Sequence, residues 1–89
     1  MPDVAARVQE ILLEILDITA EDIVPTARLL DDLHATSLDF VEILTALQNI
    51  FHVEIDEAGA AKIETVQDTI DLLRAAIARK GAGAGGRGV

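Results

Sequence analysis

The run Leu30-Asp31-Asp32-Leu33-His34-Ala35-Thr36-Ser37-Leu38-Asp39-Phe40-Val41-Glu42 changes character part-way along. From Thr36 on it carries the marks of a helix start. Thr36 followed three residues later by Asp39 forms a Thr-x-x-Asp capping box. In such a box the hydroxyl and the carboxylate each accept a backbone N–H that the first turn leaves over. With Ser37 as the cap, Phe40 falls at the third position and no box forms, so Thr36 is the preferred cap. Ser37 then becomes the first helical residue, its hydroxyl facing out rather than bonded to the backbone. Val41, Leu44, Leu47 and Phe51 recur at i, i+3, i+6 and i+10 and predict the core stripe of a helix ending near Phe51.

Upstream, Val4, Val8, Ile11, Leu12, Ile15 and Leu16 form an apolar stripe at helical spacing, with Asp3 as N-cap of a first helix reaching about Leu16. The connection from Asp17 to Thr36 is long for a helical bundle, where such loops run to roughly 2–8 residues. Ile18, Ile23, Leu29, Leu30 and Leu33 are spaced to pin it onto the helices, and Val24-Pro25 disfavours helix there. Downstream, Val53-Glu54-Ile55 reads as a short extended link, and Asp56 caps a brief helix to about Ile63, weakened by Gly59. A second box, Thr65-Val66-Gln67-Asp68, opens the last helix, with Val66, Ile70, Leu73 and Ile77 facing inward and Gly81 stopping it. His52 reads as a helix C-terminal residue interacting with the last carbonyls.

The expectation is an all-α, four-helix bundle over residues 1–80, with a long structured loop between helices 1 and 2. Residues 81–89, mostly Gly and Ala, read as a disordered tail.

Composition narrows the function. The 89 residues make one domain, with little interior for a deep enzyme pocket. The net charge of −9, from 16 acidic and 7 basic residues, disfavours nucleic acid and anionic membranes as partners. The absence of Trp and Tyr leaves little to stack bases on. With no Cys there is no disulfide and no thiolate nucleophile, and no run has the length of a membrane span. We expect a cytoplasmic monomer.

Between Arg28 and Lys62 there is no Lys or Arg, while Asp31, Asp32, Asp39, Glu42, Glu54, Asp56 and Glu57 all fall in that window, as does Ser37. This is either a solvated acidic face or a docking surface for basic partners centred on the start of the second helix. His34, Ser37 and Asp39 do not make a hydrolytic triad. Clustered at one exposed helix start, they lack an oxyanion hole and a shielded site. Asp31, Asp32 and His34 lack the spacing of a calcium loop, so no metal site and no catalytic residue are expected.

The run from Leu30 to Glu42 resembles the attachment motif of acyl carrier proteins, in which Ser-Leu-Asp-x-Val-Glu opens the second helix after an Asp-Leu loop. Phe51-His52-Val53-Glu54-Ile55 and Lys62-Ile63-Glu64-Thr65-Val66 resemble the same family, and the likeness covers about residues 3–78. It implies that Ser37 accepts a 4'-phosphopantetheine group from a phosphopantetheinyl transferase. The arm's thiol then holds acyl groups as thioesters, so the chain is a carrier rather than an enzyme. It also implies that Leu38, Asp39 and Glu42 contact partner enzymes with basic docking surfaces.

The chain departs from the family pattern at several places. Thr36 stands where Asp is usual and His34 where Gly is common. Gln48, Asn49 and Ile50 replace a frequent Glu run, Thr45 replaces a larger apolar residue, and Phe40 adds a bulky ring beside the serine. These departures point to a specialised pathway, polyketide or modified fatty-acyl. The alternatives are an aminoacyl or peptidyl carrier, whose Gly-rich loop this chain lacks, and an unmodified acidic interaction module.

Overall fold

The computed structural model describes residues 3–87, with side chains described for residues 3–80. Four α-helices follow one another: α1 (Val4–Ile15), α2 (Ser37–Phe51), α3 (Glu57–Ala61) and α4 (Val66–Arg87), with one 3-10 turn (Ala20–Asp22) in the first loop.

Local chemistry accounts for each start. Asp3 caps α1 by accepting the Ala6 N–H at 3.3 Å. Asp56 caps α3 by accepting the Gly59 N–H at 2.7 Å. The 3-10 turn has its own box, Thr19 with Asp22. α3 ends at Ala61, earlier than its apolar sequel to Ile63 predicts, and Lys62 is its C-cap. α4 runs on to Arg87, so Gly81 does not stop it as expected; the alanines between the glycines keep the backbone in helical register. The reading of residues 81–89 as a separate tail lies outside the side chains described.

One core joins the pieces. Val8 and Leu12 of α1, Ile43 and Leu47 of α2, and Leu73 of α4 are fully buried, with Leu29 from the loop among them. Each such side chain contributes about 1.5–3 kcal/mol relative to exposure. Val41 differs from its predicted place: it is 56% exposed, and Ile43 takes the core position instead. A step of three residues falls about 60° short of a full turn, so the 41, 44, 47 series drifts round the helix. Ile43 lies four residues before Leu47 and returns to the buried face.

The first loop is bound to the bundle. Leu29 and Leu33 are buried and Ile18 and Ile23 half-buried, as their spacing predicts, while Leu30 is 53% exposed and pins nothing. Ala27 and Ala35 are buried as well. An isolated antiparallel bridge pairs Arg28 with Thr65. Around it the Leu29 N–H donates to the Glu64 carbonyl (3.0 Å) and the Val66 N–H to the Ala27 carbonyl (2.9 Å). The loop is therefore clamped to the entrance of α4, and it delivers residues 30–36 to the start of α2.

Candidate functional site

The site is built around the first turn of α2. Thr36 is extended (φ −84°, ψ 170°), and its hydroxyl accepts the Asp39 N–H at 3.1 Å. The Asp39 carboxylate accepts the Thr36 N–H, also at 3.1 Å. The predicted box is present, and it is filled by the residues on either side of Ser37. Ser37 itself is exposed, as are Leu38 and Glu42, while Asp39 is half-buried. The first helical bond runs from the Phe40 N–H to the Thr36 carbonyl (2.9 Å). The N–H groups of Ser37 and Leu38 precede it and so have no partner within the helix.

The approach to this turn is constrained. His34 sits at φ 59°, in the left-handed region that favours glycine. The loop reverses there: the Ala35 N–H donates to the Leu29 carbonyl (2.9 Å) and the Leu33 N–H to the Arg28 carbonyl (3.0 Å). Asp32 accepts the Arg28 N–H (2.8 Å), and Asp31 pairs with the Arg28 guanidinium at 3.6 Å. Asp39 is engaged with Thr36, so no His34–Ser37–Asp39 relay is arranged. Among the described residues, no group of three or more His, Cys, Asp or Glu is arranged to hold a metal ion.

The acidic window thus divides. Asp31, Asp32, Asp39 and Asp56 each have a local duty in a cap, a turn or an ion pair. Glu42 has no such duty among the described residues, and it stands four residues from Leu38 on the outward face of α2. Leu38 (68% exposed) and Val41 lie beside it, so this face is apolar with an acidic edge. The sequence reading missed Val41 by assigning it to the core; projecting α2 at about 100° per residue places it beside Leu38 and Thr45.

Two further features flank the site. A cleft of about 340 Å³ lies between the first loop, α2 and α3, lined by Leu29, Leu30, Phe40, Ala60, Ala61 and Ile63, with charged residues at its rim. At the far end of α2, His52 is the C-cap in the left-handed region (φ 55°), donating its backbone N–H to the Gln48 carbonyl. The side chain that reaches a last-turn carbonyl there is Lys80, bonded to Phe51 at 3.4 Å, rather than the predicted His52. Gln48 is spent on structure: its Oε1 accepts the Ile55 N–H (2.8 Å), and its Nε2 donates to the Leu44 carbonyl (3.3 Å).

A family model described as a phosphopantetheine attachment site matches residues 6–73, a stretch that contains this whole arrangement. The acyl carrier protein of Buchnera aphidicola subsp. Acyrthosiphon pisum (strain Tuc7) is 43% identical over 74 residues, covering 83% of this chain and 92% of the relative. The chain belongs to the acyl carrier protein family. The acyl carrier proteins of Buchnera strains 5A and APS match to the same extent. Among solved structures, the acyl carrier protein from Enterococcus faecalis superposes with a TM-score of 0.72 at 32% identity, covering 82% of this chain and 92% of that one. As an acyl carrier protein the chain is a carrier and not an enzyme, and its prosthetic group is 4'-phosphopantetheine. The family works with a phosphopantetheinyl transferase and with acyl-processing enzymes. No helix among the described residues is long and apolar enough to cross a membrane.

Proposed function

We propose that Ser37 is the attachment residue for the phosphopantetheine arm, and that the chain presents acyl groups from that position to partner enzymes. The observation that carries this reading is the exposed serine at the first position of α2, left over by a capping box that uses only its neighbours. The exposed position admits an incoming transferase. The Ser37 and Leu38 N–H groups, together with the positive end of the helix dipole, suit a phosphate diester at that oxygen. When bound, the group supplies a thiol, the one reactive sulfur available to a Cys-free chain. The chain's own part is to hold the point of attachment at a rigid helix start and to display the surface beside it.

That surface is Leu38, Val41 and Glu42, an apolar patch with an acidic edge suited to basic partners. Asp39 contributes mainly through the cap. A specialised pathway, polyketide or modified fatty-acyl, is the finer reading. It is supported by Thr36 in place of an acid before the serine, by Phe40, and by Thr45 and Asn49 on the exposed face. Gln48 lends it no weight, because its side chain is committed to the Val53–Ile55 link. A cytoplasmic setting goes with this reading and is consistent with the Cys-free composition.

The test is direct. The purified chain is incubated with coenzyme A, Mg²⁺ and a broad-specificity phosphopantetheinyl transferase, and its intact mass is measured. The expected result is one phosphopantetheinyl adduct, abolished in Ser37→Ala. No adduct, or one that persists in that variant, overturns the assignment.

A further inference from the structure

Phe40 occupies a particular place between Ser37 and the interior. On α2 the residues Ser37, Phe40, Ile43 and Leu44, and Leu47 follow one another at intervals of three and four. Neighbours at these intervals have Cβ atoms about 5–6 Å apart, so they form one ridge along the helix. Its outer end, Ser37, is exposed; its inner members Ile43 and Leu47 are fully buried and Leu44 nearly so. Phe40 lies half-buried between them and forms the α2 wall of the cleft, facing Leu29, Leu30 and Ile63 with Ala60 and Ala61 of α3.

The other walls have little freedom to spread. The loop side and the exit of α3 are tied together by the Arg28–Thr65 bridge and the hydrogen bonds of Leu29 to Glu64 and of Val66 to Ala27. Leu29 and Ile63, both buried, line the inner side of the cleft. α3 contributes only alanine methyls to the cleft, and Phe40 is the one aromatic side chain in its lining. Along the α2 ridge, Phe40 stands between exposed Ser37 and the buried aliphatic residues Ile43, Leu44 and Leu47.

We propose that Phe40 is a specificity-determining residue that limits how far an acyl chain held at Ser37 enters the bundle, admitting short chains to the cleft and barring long ones from the core. This rests on the reading that Ser37 bears the tethered chain, and it deepens that reading by naming short acyl groups as the cargo the interior accommodates. Long or bulky groups remain on the outside of the domain, available to partner enzymes.

The absence of Cys gives a test that does not depend on any transferase. Ser37→Cys introduces a unique thiol, which is capped as a mixed disulfide with butyl, octyl or dodecyl methanethiosulfonate. Intact mass confirms each adduct, and thermal unfolding reports burial of the alkyl chain. With Phe40 present, the gain in midpoint over the methyl-capped protein should level off at the butyl chain. In Ser37→Cys/Phe40→Ala it should keep rising through octyl and dodecyl, by about 4 °C or more for a domain of this size. Phe40→Leu, which keeps the core filled where Ala could unfold it, should fall between the two. Equal length dependence with and without the ring overturns the proposal, and so does a midpoint insensitive to length in every variant. Failure of the transferase reaction on the unmodified chain would count against the attachment assignment alone, since the alkyl series is read independently of it.

Discussion

Two helices of this chain begin with the same four-residue grammar and end up with opposite roles. Thr36-Ser37-Leu38-Asp39 opens α2, and Thr65-Val66-Gln67-Asp68 opens α4. Both boxes close with hydroxyl and carboxylate contacts of 3.1 Å. They differ in the residue that follows the cap. Val66 is buried, and its N–H donates to the Ala27 carbonyl of the loop. Ser37 is exposed, and among the described residues its N–H donates to no backbone carbonyl. The capping chemistry sets where a helix starts; whether its first residue serves packing or display is decided by what the rest of the chain lays over it. Here the first loop covers the start of α4 and, by doing so, leaves the start of α2 bare.

The largest expected effect separates these roles at the same register. Val66→Ala removes buried methyl groups beside the clamp and should cost roughly 2 kcal/mol of unfolding free energy. Ser37→Ala, the variant of the proposed attachment residue, should leave stability within about 0.5 kcal/mol. Urea unfolding of the two unmodified variants side by side reads this. A Ser37→Ala loss as large as that of Val66→Ala would show that the hydroxyl has a structural duty and erase the distinction.

The carboxylates of the two boxes differ as well. Asp68 accepts a further N–H from Glu64 at 3.1 Å. Hydrogen bonds from the Thr65 backbone first, and from Glu64 next, hold its carboxyl below the ordinary value of 3.8. A lowered folded-state value means that the unfolded chain binds more protons in acid, so stability rises with pH across that window. The contribution is complete above the ordinary aspartate value and is lost as pH falls through the lowered one. Asp68→Asn should therefore flatten the acid side of the stability–pH curve, measured as the urea midpoint between neutral pH and the onset of acid unfolding. Parallel curves for the two proteins would remove the third hydrogen bond from the comparison.

Much of this was legible in the residues. Both boxes, the caps at Asp3 and Asp56, and the exposed Ser37 follow from side chains within four positions of one another, where sequence spacing fixes geometry. What escaped is tertiary. Val41 leaves the stripe and Ile43 joins it because three-residue steps drift round a helix, and only the neighbours of α2 decide which edge of the stripe is covered. Leu30 looks like Leu29 in sequence, yet the pairing of Arg28 with Thr65 buries one and leaves the other at the rim of the cleft. Gln48 read as a lost acid on a docking face, but its partner Ile55 lies beyond the end of its helix. Lys80 reaches the end of α2 across 29 positions, a distance no local pattern encodes.

The smallest effect concerns how the chain enters each box. Two residues before Thr36 stands His34 in the left-handed region, whereas two residues before Thr65 stands the buried Ile63, with no such backbone. For a residue with a Cβ that conformation costs about 1–2 kcal/mol. Glycine avoids this but gives up roughly 0.5–1 kcal/mol through its greater freedom in the unfolded chain. His34→Gly should therefore stabilise the protein slightly, by about 0.5 kcal/mol, without altering the mass gain proposed for Ser37. His52→Gly at the other left-handed position should do the same, because neither imidazole takes part in a hydrogen bond among the described residues. Denaturant midpoints for both variants read the effect. A destabilised His34→Gly beside a stabilised His52→Gly would mean that the His34 side chain supports the turn into α2, and that the two helix starts differ in their approach as well as in their first residue.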